Sequence, residues 1–92
     1  MKVKVKFFAA FRELFGVEEK EVKLNSKASV RDLLDALCDS NECRQKLFDE
    51  AGGIRRDVKM LRKGKHVQLL DELDSQLEDG DVISMFPPMF GG

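Results

Sequence analysis

The carboxyl terminus is the part of this chain whose residue types and spacing could do chemistry. The chain ends Pro-Pro-Met-Phe-Gly-Gly over residues 87–92. Consecutive prolines favour an extended backbone, and the four residues after Pro88 reach at most about 14 Å. Glycine lets the backbone approach another molecule closely because it has no Cβ. We therefore interpret Gly91 and Gly92 as the end of a projecting tail whose carboxylate enters a narrow channel of another protein.

That carboxylate is a poor electrophile until it is activated, for example as an acyl-adenylate. The sequence contains no glycine-rich phosphate-binding loop that would hold ATP. No nucleophile stands in a recognisable relay with His66, the one histidine, which we expect to be a surface turn residue. We predict that the chain is not an enzyme, has no catalytic residues, binds no cofactor itself and is activated at Gly92 by a partner enzyme that uses ATP.

Length and charge limit the remaining function classes. The 92 residues make one domain, in which 16 basic residues nearly balance 17 acidic ones. This balance gives no net field that would favour nucleic acid or an anionic membrane. The longest apolar run, Phe7–Phe11, is too short to cross a bilayer. We expect a cytoplasmic protein, monomeric when free, with neither nucleic acid nor membrane as partner.

The two cysteines, Cys38 and Cys43, are five positions apart, and the single histidine is distant. They make a poor metal-ligand set, so no metal site is predicted. Disulfides are rare in a reducing cytosol. We therefore interpret both residues as structural thiols.

The hydrophobic pattern predicts an α+β domain over residues 1–88, followed by a tail over 89–92. Ser29 is the predicted N-cap of the main helix, whose apolar stripe recurs at helical spacing as far as Cys38. Two outer hairpins would hold this helix against a mixed sheet. The predicted elements are strands at 1–7, 19–24, 58–61, 67–70 and 81–86, a helical turn at 9–15, and helices at 29–38 and 41–50.

An apolar patch is predicted beside the tail. Phe8 follows the lysines on the otherwise polar side of the first strand. The last strand is apolar on both sides, with Val82 and Phe86 on one and Ile83 and Met85 on the other. If the two strands are neighbours, one of these pairs joins Phe8 on an outer face, and we name Phe8, Val82 and Phe86 as a partner-binding patch. The alternative is that a loop or the second helix covers it.

Charged residues cluster by sign in the second half of the chain. Six basic residues fall between positions 55 and 65, and six acidic residues between 71 and 81. We interpret them as two solvated surfaces of opposite sign. A minor hypothesis is that the acidic segment, through Asp79 and Asp81, steers a basic partner surface.

Three stretches resemble the MoaD/ThiS-type ubiquitin-like proteins. They are KVKFFAAFRELFG (Lys4–Gly16), SVRDLLDAL (Ser29–Leu37) and LEDGDVISMFPPMFGG (Leu77–Gly92). The likeness covers nearly the whole chain, and the closing stretch, with its DGD, FPP and GG motifs, is highly specific for this family. It implies a β-grasp fold in which the first and last strands lie parallel at the centre of the sheet.

The resemblance also implies a function for the tail. DVKMLRKGKHV (Asp57–Val67) and the insertion over 43–57 are closest to the small archaeal modifier proteins. The first choice is accordingly a protein modifier, adenylated at Gly92 by a ubiquitin-activating-type enzyme, joined to lysines of target proteins and also able to carry sulfur as a thiocarboxylate. One alternative is the small subunit of molybdopterin synthase, a sulfur carrier only, with the large subunit as partner. Another is a ubiquitin-fold binding module with an idle tail.

Position by position, the resemblance makes Gly92 the activated group and Gly91 its required neighbour. Pro87 and Pro88 become the root of the tail. Met89 and Phe90 stand where this family usually has small residues.

Overall fold

The structure is a computed structural model that describes residues 1–55, 57–62, 65–66 and 73–87, with only the backbone at 65–66. Within these residues, five strands form one mixed sheet and three helices accompany it. The elements are β1 (Lys2–Phe7), α1 (Ala10–Phe15), β2 (Glu19–Lys23), α2 (Val30–Leu37), α3 (Asn41–Leu47), β3 (Lys59–Arg62), β4 (Lys65–His66) and β5 (Val82–Phe86).

The sheet has the order β2-β1-β5-β3-β4. β1 and β5, the first and last strands, lie side by side and parallel, with Val5 opposite Ile83. The other pairs are antiparallel. The predicted α+β, ubiquitin-like β-grasp fold is confirmed, including its parallel central pair.

The core lies between one face of the sheet and α2. Alternate residues of β1 and β5 point into it, as the period of two requires, and α2 contributes its apolar stripe. The predicted N-cap is also confirmed: the Asp32 amide donates to Ser29 Oγ at 3.2 Å, and the Ser29 amide donates to Asp32 Oδ2 at 2.9 Å. The side chains from these elements that are fully or nearly fully buried are Val3, Val5, Phe7, Val30, Leu33, Leu34, Leu37, Ile83 and Met85.

A disulfide joins Cys38 and Cys43, so the prediction of two structural thiols is wrong. Cys38 ends α2, the Ser40 hydroxyl accepts from the Cys43 amide to begin α3, and both cysteines are buried. The tight connection brings the two Cα atoms to 5.4 Å, within the usual range for a disulfide. The prediction rested on the compartment, which carries no information about this geometry.

Other differences concern element boundaries. The second helix stops at Leu47, whereas the pattern predicted it as far as 50. His66 lies in β4 and not in a turn. The strand predicted at 67–70 and the turn at 63–64 lie outside the described residues. Among the residues that are described, no helix has the length and apolar character needed to cross a membrane.

Candidate functional site

The root of the tail is the end of β5, at the centre of the sheet. Phe86 is the last residue of the strand, and Pro87, half-buried, is the last described residue. The predicted roles of the later residues remain predictions, because those residues lie outside the described part of the chain. They are Pro88, Met89, Phe90, Gly91 and Gly92.

Two aromatic rings meet beside this root. The rings of Phe8 and Phe86 stack with centroids 4.4 Å apart and planes 10° from parallel. The parallel register places them together, because Lys6 lies opposite Ser84 and the Phe8 amide donates to the Met85 carbonyl at 3.2 Å. Such a pair contributes about 0.5–1.5 kcal/mol beyond the burial of its area. We call Phe8 and Phe86 the ring patch.

A sharp turn after β1 presents the ring of Phe8 on the outer face. The turn is closed by the Phe11 amide, which donates to the Phe8 carbonyl at 3.1 Å. Ala9 within it has φ +52°, a conformation that costs a residue with a side chain of order 1 kcal/mol or more. The chain thus keeps a strained residue where it leaves the sheet and enters α1.

Val82 lies on the same outer face but away from the ring patch. It is 41% exposed and pairs with Lys4, four residues before Phe86 along β5 and therefore about 13 Å away. Ile83 and Met85 are fully buried. Of the two sets that the sequence left open, the structure selects Val82 and Phe86 for the outer face, and it brings only Phe86 into contact with Phe8.

Cationic side chains lie around the ring patch, a relation that the sequence alone does not show. The Arg12 guanidinium carbon lies 5.8 Å from the centroid of the Phe8 ring, within cation–π range. Lys59 of β3 stands directly opposite Phe86 in the register. Lys6, in β1, precedes Phe8 by two residues and lies on the same side of the sheet. Once the strand order is known, two sequence signals could have predicted these neighbours. Alternation along β3 places Lys59 on the outer face, and helical spacing in α1 brings Arg12 back towards Phe8.

Asp81, one of the two carboxylates named in the minor hypothesis, is not available to steer a partner. Asp81 is only 6% exposed. Its Oδ2 accepts from Arg62 Nε at 3.1 Å and Nη2 at 2.9 Å, and from the Glu78 amide at 2.8 Å. Asp79 accepts a hydrogen bond from the Lys2 amide at 2.8 Å. Asp81 therefore belongs to a buried ion pair with Arg62, which corrects its predicted steering role and joins two residues that were assigned to separate charged surfaces. Asp79 is exposed, and its part in the hypothesis stays a prediction.

A cavity of about 280 Å³ adjoins the tail root, with Phe11, Leu14 and Pro87 among its lining residues. A bidentate ion pair also borders the cavity: Arg55 Nε and Nη2 donate to the two carboxylate oxygens of Asp57 at 3.1 and 3.0 Å. These hydrogen bonds lower the pKa of Asp57 and raise that of Arg55. In the described residues no group of three His, Cys, Asp or Glu could hold a metal ion.

This mixed sheet, with parallel terminal strands at its centre and a main helix across one face, defines a ubiquitin-like β-grasp protein. The sequence matches the ThiS family over residues 5–92, and the chain belongs to that family. It is 34% identical over 92 residues to small archaeal modifier protein 3 of Haloferax volcanii, and the alignment covers all of both chains.

Solved structures agree with this assignment. SAMP1 from Haloferax volcanii superposes with a TM-score of 0.82 at 28% identity, covering all of both chains. A putative molybdopterin converting factor subunit 1 from Pyrococcus furiosus has a TM-score of 0.71 at 38% identity, covering 97% of this chain and 99% of the other. The chain is therefore homologous to small archaeal modifier proteins and also similar to a MoaD-type subunit.

Proposed function

We propose that this chain is a ubiquitin-like protein modifier whose terminal Gly92 is adenylated by an activating enzyme and joined to lysines of target proteins. It also carries sulfur there as a thiocarboxylate. Both reactions use the one activated carboxylate, and both take place in the cytoplasm. The observation that carries the proposal is the ring patch at the root of a tail that ends in Gly91–Gly92.

The chemistry requires little from the chain beyond positioning. A carboxylate oxygen of Gly92 attacks the α-phosphorus of ATP and pyrophosphate leaves, which gives the acyl-adenylate. A lysine amine of the target then attacks the carbonyl carbon, AMP leaves with the bonding electrons, the amine loses a proton, and an isopeptide bond forms. With hydrosulfide as the nucleophile in place of the amine, its sulfur attacks the same carbonyl carbon, AMP leaves with the bonding electrons, and loss of the remaining proton gives the thiocarboxylate.

The tail length fits this division of labour. Six residues follow Phe86, the last of them Gly92, so the terminal carboxylate reaches at most about 20 Å from the ring patch. An enzyme that binds the ring patch can therefore hold its ATP within about 20 Å of the rings and still reach the terminal carboxylate. The likeness to small archaeal modifier protein 3 over all 92 residues supports the modifier function.

A second candidate is a dedicated sulfur carrier, the small subunit of molybdopterin synthase. It is favoured by the 38% identity to the putative Pyrococcus furiosus subunit. A molybdopterin-converting factor complex of subunits 1 and 2 from Helicobacter pylori also matches, with a TM-score of 0.64 at 25% identity. In this case the partner is the large subunit and the tail forms no isopeptide bond.

Mass spectrometry separates these functions. The tagged chain and a version without Gly91–Gly92 are expressed in the native cells, and captured proteins are digested with a chymotrypsin-like protease. Lys65 is the last basic residue, so trypsin would leave residues 66–92 on a target lysine, whereas cleavage after Phe90 leaves only Gly-Gly. Lysines that carry Gly-Gly with the full chain, and lose it with the truncated one, establish the modifier.

Two other outcomes refute the first choice. If no lysine carries Gly-Gly and the free chain instead shows sulfur in place of one terminal oxygen, the protein is a sulfur carrier only. If neither product forms, and the truncated chain captures the same partners as the full one, the tail is idle and the domain is a binding module.

A further inference from the structure

The cavity of about 280 Å³ at the root of the tail has no part in the proposed function. Its apolar lining comes from Phe11 and Leu14 of α1 and from Pro87, the residue that follows β5, whereas neither Phe8 nor Phe86 lines it. An apolar cavity of about 150 Å³ holds a benzene ring, and sites for drug-sized ligands begin at about 300 Å³. The size of this cavity therefore suits one aromatic side chain better than a cofactor.

The polar lining of the cavity includes a cation with only a weak partner. Arg55 is fully engaged, because Nε and Nη2 donate to Asp57 and Nη1 donates to the Gln45 carbonyl at 3.2 Å. Lys46 contacts Glu42 at 3.7 Å, but the two side chains are 53% and 75% exposed, and a surface pair of this kind contributes little. Lys46 can therefore pair with a further carboxylate at the edge of the cavity.

The end of the chain supplies an occupant of matching chemistry. Five residues follow Pro87, and Phe90 is the third of them. Three residues span at most about 10 Å, so the Phe90 ring is within reach of a cavity that Pro87 itself lines. Gly91 and Gly92 come next, and without a Cβ they let the backbone turn the terminal carboxylate towards Lys46.

We propose that the tail folds back on its own domain, with the Phe90 ring in this cavity and the Gly92 carboxylate paired with Lys46. The ring gains apolar contacts with Leu14 and its neighbours in the lining, and the carboxylate gains a cation. This role also accounts for a bulky side chain directly before Gly91, where it would otherwise only obstruct a narrow channel. The site itself does not depend on the proposed function.

A closed tail lowers the apparent affinity of any partner that needs the free carboxylate. A partner that binds only the open form has its apparent Kd raised by the reciprocal of the open fraction. With about one copy in ten open, the KM for this chain in adenylation is about tenfold higher than for a permanently open tail. This consequence, unlike the site, rests on the proposed function.

Proteolysis of the free chain measures the open fraction without any activating enzyme. A chymotrypsin-like protease that cleaves after Phe90 removes Gly91–Gly92, and intact-mass spectrometry follows the loss. When opening and closing are fast, the cleavage rate tracks the population of the open form. The fold also hinders a protease near its surface, so the comparison between variants decides, not the wild-type rate alone.

Each variant of the cavity has a matched control. Ala10→Trp places a large ring at an exposed position of α1 that lines the cavity, where it competes with Phe90. Glu13→Trp is its control, because Glu13 is exposed on the same helix and does not line the cavity. Lys46→Gln removes the cation, and Lys23→Gln, at an exposed position of the edge strand β2, is the control for lost charge. Far-UV circular dichroism confirms that each variant is folded.

We expect Ala10→Trp to speed the loss of Gly-Gly about tenfold, since the tail then stays open. Lys46→Gln should speed it about two- to threefold, the effect of one surface ion pair, and Lys46→Arg should keep the wild-type rate. Glu13→Trp and Lys23→Gln should stay within about 1.5-fold of the wild type, because neither changes the cavity.

A second measurement uses the ring current of Phe90 and needs no change in the folded domain. In NMR spectra of the free chain, Phe90→Ala should move the methyl signals of Leu14, which lines the cavity. The methyl signals of Leu24, which is also half-buried but does not line the cavity, should stay in place.

The proposal is overturned if Ala10→Trp is cleaved no faster than Glu13→Trp, or if Phe90→Ala leaves the Leu14 signals unmoved. Protection that disappears on dilution would place the tail of a second copy in the cavity, and would overturn the contact within one chain. Failure of the proposed function looks different. The chain would then support no ATP–pyrophosphate exchange with an adenylating enzyme from the same cells, whereas the proteolysis and NMR results would stand.

Discussion

The buried ion pair between Arg62 and Asp81 allows a prediction about stability. Arg62→Met removes two donors to Asp81 Oδ2 and a third hydrogen bond, at 2.9 Å, to the Gln76 carbonyl. The Asp81 side chain is 4% exposed and, within the described residues, would keep the Glu78 amide as its remaining donor. The carboxylate would then be charged, buried and without a cation.

The structure sets the size of this effect. Removing one partner of a buried ion pair costs about 3–5 kcal/mol. The Arg62 side chain is 17% exposed, so water can enter from that side, and we expect about 3 kcal/mol. With an unfolding entropy of about 2.1 cal/mol/K per residue, 92 residues give about 0.19 kcal/mol/K, and the loss corresponds to a fall in Tm of about 15 °C.

Urea denaturation followed by far-UV circular dichroism is the suitable assay, because the chain has no Trp or Tyr for intrinsic fluorescence. The midpoint should fall while the slope m stays the same. The double variant Arg62→Met/Asp81→Asn should lose less than the sum of the two single variants, since no unpaired carboxylate remains.

The control is Arg44→Met. Arg44 pairs with Asp35 at 3.0 Å, but both side chains are nearly half exposed, and such pairs contribute about 0.2–1 kcal/mol. If Arg62→Met costs no more than Arg44→Met, burial does not set the strength of this interaction and the reasoning fails. Strict additivity in the double variant would refute it equally.

Three further changes should follow from features described above. Ser29→Ala should destabilise the protein by about 1 kcal/mol in thermal denaturation, with Ser29→Thr restoring most of the loss; equal values for both would show that the cap hydroxyl is not used. Reduction of the Cys38–Cys43 disulfide should lower the free energy of unfolding by about 2 kcal/mol, because the closed loop is short, and Cys43→Ser should make the urea midpoint insensitive to reductant. The hydrogen bonds from Arg55 lower the pKa of Asp57, so their pair stabilises the fold above the unfolded-state pKa of Asp57 and loses that contribution as the pH falls below about 4. Asp57→Asn should slightly flatten the fall in the free energy of unfolding at acid pH. An unchanged fall would contradict this prediction.

Local signals predicted much of the fold. The alternation in the first seven residues defines β1, and Ser29 with Asp32 defines the start of α2, because each pattern involves neighbours in sequence. The parallel pairing of β1 with β5 came from the family resemblance. It joins residues from opposite ends of the chain, which no local periodicity encodes.

The candidate site was predicted only in part. β5 is apolar on both sides, so the sequence could not decide whether Phe86 or Met85 would face outward; the register with β1 decides it. Arg62 and Asp81 were interpreted as members of two opposite surfaces, because a run of charges does not reveal which residues pair. The disulfide was missed because helix caps, not composition, bring the two sulfurs together.

The ring patch is built from the two ends of the chain, one ring from the end of β1 and the other from the end of β5. These strands become neighbours only when the central pairing of the sheet is complete, a contact of very long sequence separation. A misfolded copy would keep its apolar residues but would not present the two stacked rings together. An activating enzyme that requires the stack would therefore adenylate only those copies in which this pairing has formed.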